Sequence, residues 1–252
     1  MRVVVCAKQI PDPASPYHLE PDSHWLVRPG EQVLDDTDRY GVEMGLQLAQ
    51  AAGGTVTLVS MGPTGTMQGI RQALAMGADK AVVIDDPGLR GSDALLTARV
   101  LAAAISKEGF DLVIAGTEST DGYSGVVPQM VAELLDVPAL TYATTVEVID
   151  GQVTIHRQTN NGYEVVQASV PAVVSVTAGV VEPRYPTFKG IMDAKKKPVE
   201  THTLNDLGVA AEIGQKVREV SVAASRKAGV KIDDDGEAHL KIVELLAQRK
   251  VI

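Results

Sequence analysis

With one cysteine in 252 residues, the chain cannot close an internal disulfide, and it suits a reducing compartment. That cysteine, Cys6, lies inside the apolar run Val3-Val4-Val5-Cys6-Ala7 and reads as a small buried side chain. A reactive thiol would need an exposed, cationic setting instead. Aromatic residues are scarce at 4%, so Val, Ala, Leu and Ile must build the core. No apolar stretch approaches the ~20 residues of a membrane span. Nor is there a charged segment followed by an apolar one, as a signal peptide has, so the expected location is cytoplasmic. Basic residues are not in excess: the formal net charge of −9 argues against nucleic acid and against an anionic membrane surface as partners.

Catalytic constellations are lacking as well. The five histidines (His18, His24, His156, His202, His239) are scattered, with no metal-ligand spacing and no nucleophile beside one. Lys8 and Asp12 read as an ordinary loop ion pair. No Gly-x-Gly-x-x-Gly follows the first strand and no P-loop is present, which excludes the standard dinucleotide and nucleotide-hydrolase readings. The sequence therefore predicts neither a metal site nor catalytic residues.

What is present is an alternation of strands and helices. Residues 2–7 form an apolar, β-branched run of the kind buried on both faces of a sheet. After a Pro-rich loop, residues 35–51 predict a helix that Asp35, Asp36 or Asp38 can cap, with Val42, Leu46 and Ala49 on one face. Strands at 55–60, 81–84 and 111–115 then alternate with helices ending near Gly77, Gly109 and Leu135. This pattern predicts an α/β doubly wound parallel sandwich. After Pro138, strands at 145–149 and 153–157 flank an Asp150-Gly151 hairpin turn, and further strands follow at 163–169 and 173–177. These read as antiparallel additions. Beyond residue 183 apolar runs are few, and only 240–246 is amphipathic. The expected division is a nucleotide-binding domain at 1–183 and a C-terminal segment at 184–252, either disordered or an arm borrowing another protein's surface.

In a doubly wound sheet ligands bind beyond the carboxyl ends of the strands, where the connections reverse. The loops there carry Lys8, Met61-Gly62-Pro63, and the stretch Gly116-Thr117-Glu118-Ser119-Thr120-Asp121-Gly122-Tyr123-Ser124-Gly125. The last, rich in hydroxyls and followed by a helix, suits a phosphate through backbone N–H groups, or is an ordinary polar loop.

Four segments, in order along the chain, resemble the β (small) subunit of electron-transfer flavoproteins. They are Val5-Cys6-Ala7-Lys8-Gln9-Ile10-Pro11-Asp12; Met61-Gly62-Pro63 with Ile70 through Asp79; Ala115 through Gly122; and Glu182-Pro183-Arg184-Tyr185-Pro186 with Ile191 through Lys197. Arg157 and Pro171-Ala172-Val173-Val174 extend the match. The resemblance implies an electron carrier subunit rather than an enzyme, in a heterodimer with an α subunit that holds most of a shared FAD. This subunit would bury a structural AMP, contacted by Cys6, Ala7, Lys8, Asp35, Met61, Gly116, Thr120, Asp121, Ser124, Gly125, Val126 and Val127.

The resemblance further implies electron donors such as the acyl-CoA dehydrogenases of fatty acid oxidation, and a quinone oxidoreductase or similar acceptor. The tail from 184 would wrap the α subunit, and Phe188, Lys189, Ile191 and Met192 would dock the dehydrogenase. An electron-bifurcating branch of the family places a second FAD where AMP sits. A free-standing nucleotide-binding module is the reading from a different class, disfavoured by the long tail. The chain departs from the family at Asp35 (often Asn), at Asn160 (acidic) and at Pro13, where some members carry a Tyr near the α-subunit flavin.

Overall fold

Apolar residues that alternate between two faces need a helix layer on each, and the chain supplies both. The computed structural model describes residues 1–65, 67–221 and 229–252. β1 (Arg2–Cys6) and short β2 (Gln9–Ile10) and β3 (Val33–Leu34) precede α1 (Asp36–Ala51). β4 (Thr55–Met61), α2 (Gln68–Met76), β5 (Lys80–Ile84), α3 (Ala94–Glu108), β6 (Leu112–Gly116) and α4 (Val127–Leu134) follow in alternation. Then come β7 (Ala139–Ile149), β8 (Gln152–Thr159), β9 (Gly162–Ser169) and β10 (Ala172–Val176). The first unit continues through α5 (Phe188–Ala194), β11 (Val199–His202) and α6 (Leu204–Leu207).

The nine-stranded sheet has the order β11-β5-β4-β1-β6-β10-β7-β8-β9. β11 through β7 run parallel, and β8 and β9 turn back antiparallel. Val3 and Val5 of β1, with Leu58, Leu112 and Ile114, pack on the α1 and α2 side. Val4, Val59, Val82 and Val113 pack on the α3 and α4 side. Full burial of each such side chain contributes about 1.5–3 kcal/mol. The Asp150-Gly151 turn has φ of +50° and +77°, the left-handed pair a two-residue hairpin requires.

One expectation is corrected. β10 is not an antiparallel addition: it returns to the middle of the sheet, parallel to β6 and β7. Its five residues are buried throughout, as a strand covered on both faces demands. Residues 184–217, expected to open the tail, belong to the first compact unit, which runs from Met1 to Val217. Polar anchors hold them there. Arg184 makes a bidentate pair with the buried Glu43 of α1, at 2.6 and 2.9 Å. Lys197 Nζ donates to Leu74 O and Ala78 O at the end of α2, and β11 pairs along β5.

The second unit, 218–252, holds α7 (Ala238–Gln248), whose Leu240, Ile242, Val243 and Leu245 are exposed. Among the described residues, no helix is long and apolar enough to cross a membrane.

Candidate functional site

β4 and β6 flank β1 on opposite sides, so the chain reverses its winding at the carboxyl end of β1. A cleft of about 1640 Å³ opens there. Apolar side chains including Met61, Leu89 and Val131 line its depth, and Lys8, Arg28, Arg90 and Lys216 contribute cationic groups. Of the expected binding residues, Cys6, Ala7, Lys8, Met61, Gly116, Asp121, Ser124 and Val127 line this cleft. Burial pushes the Cys6 thiol up to about 12, with Asp38 adding to the shift. It is therefore a neutral wall of the cleft, half-buried there rather than fully buried as the sequence suggested.

Asp35, Thr120, Gly125 and Val126 are not on the cleft wall. Asp35 is wholly buried and works as a clamp. Its Oδ1 accepts the Thr37 N–H at 3.0 Å, capping α1. Its Oδ2 accepts the Thr120 N–H at 2.7 Å and the Thr120 hydroxyl at 3.1 Å. Thr37 Oγ1 also donates to Glu118 O at 2.9 Å. The start of α1 thus fixes the loop after β6.

Beyond that clamp, the loop rises to a crest at 124–127. The backbone N–H groups of Ser124, Gly125, Val126 and Val127 have no acceptor among the described residues. Val127 opens α4, so these donors lie where the helix already favours an anion. Gly125 has φ +63°, which L side chains adopt only at a cost. A Cβ there would meet only Glu118 Oε2, at 3.4 Å, so the backbone conformation rather than crowding demands glycine.

Asp121 is the centre of charge. Its side chain is 1% exposed, between Lys8 Nζ at 2.6 Å and Arg28 Nη2 at 2.6 Å. Burial alone would raise its carboxyl, but the two cations hold it below the ordinary carboxylate range. Lys8 Nζ also donates to Ser119 Oγ at 3.2 Å. At the cleft floor, Asp38 Oδ2 accepts the Lys8 N–H at 2.6 Å. Its burial, with Asp35 nearby, raises its carboxyl to about 8.

The sequence reading missed Arg28, Asp38 and Trp25. Trp25 stacks under Arg90, 5.4 Å from guanidinium to ring centroid, and lines the cleft. Arg28 and Trp25 come from the excursion between β2 and β3, where no periodic pattern marks a residue as facing inward. Asp38, three residues after Asp35, was read only as a possible cap of α1, and nothing in its spacing marked it as buried at the cleft floor.

The fold and cleft define a doubly wound α/β protein with an open cleft at its switch point. A family model described as "Electron transfer flavoprotein domain" matches residues 24–207. The chain is 42% identical over 263 residues to the electron transfer flavoprotein subunit beta of Mycobacterium leprae, covering 99% of each chain. It is 34% identical to the subunit beta of Thermoanaerobacterium thermosaccharolyticum over the whole of both chains. It is also 34% identical to the caffeyl-CoA reductase-Etf complex subunit CarD of Acetobacterium woodii, across 84% of this chain and 82% of that one. The chain belongs to the electron transfer flavoprotein family, in its beta-subunit branch.

The expected docking residues lie away from the cleft. Thr187 caps α5, and Phe188 at its first position is 82% exposed. Lys189, Ile191 and Met192 are exposed beside it, while Ala194 is buried.

Proposed function

We propose that this chain is the β subunit of a heterodimeric electron carrier and holds an AMP in its cleft as a structural element. The observation that carries this reading is the crest of free N–H donors at 124–127 beside a cleft bearing Lys8 and Arg28. The residues fit the nucleotide: apolar walls for a purine, and N–H groups with cations for a phosphate. Cys6, Ala7, Lys8, Met61 and Gly116 would bound the nucleoside, and 124–127 the phosphate. Asp35 and Thr120 would act indirectly, by fixing the loop.

A shared FAD, held mainly by the α subunit, supplies the redox chemistry; this chain docks, positions and shields. The donors on this reading are acyl-CoA dehydrogenases or similar, and the acceptor is a quinone oxidoreductase or its equivalent. The complex works in the cytoplasm. Residues 218–252 serve as an arm on the α subunit, consistent with the exposed apolar side chains of α7. Phe188, Lys189, Ile191 and Met192 form the face offered to the donor.

The cleft's volume favours a second reading. At about 1640 Å³ it exceeds the roughly 300–1,000 Å³ of ordinary small-ligand pockets, room enough for a second FAD in place of AMP. Mass spectrometry of the nucleotide released on denaturing the αβ complex separates the two. Gly125→Val should then lower nucleotide content at least about tenfold, through left-handed strain of about 1–2 kcal/mol and a Cβ beside the phosphate. Unchanged content in that variant would count against the assignment.

A further inference from the structure

Among the expected binding residues that line the cleft, Asp121 is the one whose chemistry conflicts with a direct role. A carboxylate repels a phosphate, and both its oxygens are already taken at 2.6 Å. At 1% exposure it has no surface left to offer a ligand. What it does is hold two cations side by side. Lys8 comes from the end of β1, and Arg28 from the excursion 20 residues later in the chain. One buried carboxylate between two cations leaves a net charge of +1, and both cationic side chains keep roughly a third of their surface open.

Each cation also keeps donors free. Lys8 Nζ has three N–H bonds, and Asp121 and Ser119 use two. Arg28 commits Nη2 to Asp121, while its Nη1 makes only long contacts of 3.5 Å to Gln9 O and Gln32 Oε1. Those contacts lie at the limit of a hydrogen bond, so a better acceptor can displace them. Both residues line the cleft, as do Ser119 and Ser124 of the loop. Gly122 keeps the approach open: a Cβ there would press Ser119 Oγ at 3.0 Å and stand 3.9 Å from Lys8 Nζ.

We infer that Arg28 is an anion-binding residue of the cleft, paired with Lys8 by the positioning residue Asp121, and that the pair takes the phosphate of the bound nucleotide. This assignment rests on the nucleotide reading above. It adds a ligand from outside the segments that carry the family resemblance, and it gives Asp121 an orienting role in place of a contact. The planar guanidinium suits phosphate oxygens, and Asp121 fixes its plane before the ligand arrives.

The test is equilibrium binding of AMP and of adenosine to the nucleotide-depleted αβ complex, for the wild type, Arg28→Met and Arg28→Lys. Arg28→Met should weaken AMP by roughly ten- to a hundredfold, the range of a charged hydrogen bond, and leave adenosine within about twofold. Arg28→Lys should restore part of the loss, and added salt should weaken AMP less in Arg28→Met than in the wild type. Equal losses for AMP and adenosine would show that Arg28 only shapes the excursion, and would overturn the assignment. AMP affinity unchanged in Arg28→Met would overturn it too, with the nucleotide reading intact. Failure of the wild type to bind either compound would sink the nucleotide reading and the assignment with it.

Discussion

Residues 1–217 and 218–252 are written in much the same alphabet and do different things with it. In the first unit, α1 turns Val42, Leu46 and Ala49 onto the sheet and buries them. In the second, α7 carries Leu240, Ile242, Val243 and Leu245 at helical spacing, and none of its residues is buried. The amphipathic pattern is therefore the same kind of signal in both. What differs is whether the chain supplies the opposing surface. An apolar stripe announces a helix and a need for cover, and only the rest of the chain says whether that cover is internal.

The largest effect expected from this difference is in amide hydrogen exchange. In the chain without its partner subunit, the central strands β1, β4 and β6 should exchange at least about a thousandfold more slowly than residues 238–248, because local opening free energies run from near zero to the global value. Adding the α subunit should slow exchange in 238–248 and leave the sheet unchanged. Equal protection of both regions in the lone chain would break the comparison, since α7 would then have found cover of its own.

The same contrast explains what was legible in the sequence. Elements that bury one apolar face or two, such as β1, α1 and β6, announce themselves by periodicity. β11 does not: Val-Glu-Thr-His has one apolar side chain and joins the sheet through backbone pairing with β5. The segment 184–197 is likewise fastened by Arg184 and Lys197 to a carboxylate and to helix-end carbonyls, which hydrophobic patterning cannot register. In the cleft, Lys8 and the loop at 116–127 were readable because topology places ligands at strand ends. Arg28 was not, because it reaches the cleft from an irregular excursion whose path only Asp121 reveals. Asp121 itself stood out, but as a ligand rather than as the group that holds two cations.

A pH experiment sharpens the comparison further. In the first unit, Asp38 holds its proton up to about 8, against an ordinary value of 3.8, because burial and then Asp35 disfavour its charge. Between those values the unfolded chain binds fewer protons than the folded one, so this group makes stability fall as pH rises across that window. Glu43 has the opposite sign: despite its burial, Arg184 holds its carboxyl low, and that contribution disappears as pH falls through its folded value. In the second unit Asp235 is fully exposed beside Lys241 and has little leverage on stability. Asp38→Asn keeps an acceptor for the Lys8 N–H and removes the charge. It should raise stability at about pH 8.5 by at least about 1 kcal/mol more than at about pH 5, in thermal melts of the complex. An equal change at both pH values would mean that Asp38 ionises normally and that the cleft floor is wetter than its burial implies.

Phe188 is the residue that does not respect the division, and it gives the smallest and most specific effect. It belongs to the first unit, on a helix fastened by the buried Ala194 and by Arg71 Nη1 donating to Ala194 O at 2.7 Å. Yet Phe188 is more exposed than Leu240, Ile242, Val243 or Leu245 of α7. Rigid support under an exposed aromatic differs from an apolar stripe awaiting cover: the ordering cost is met before any partner arrives, which suits a brief encounter. The same helix and its end carry the exposed Lys189, Lys195 and Lys196, so an acidic partner would be steered toward this segment and the ring would fix the pose. On the proposed docking role, Phe188→Ala should weaken apparent binding of the proposed dehydrogenase donor by roughly 1–2 kcal/mol, read from the donor-concentration dependence of flavin reduction. The melting temperature, the flavin spectrum and the association of the two subunits should stay as they are. Loss of flavin or of the α subunit in this variant would instead make Phe188 part of the assembly, and would place α5 with the arm rather than with the docking face.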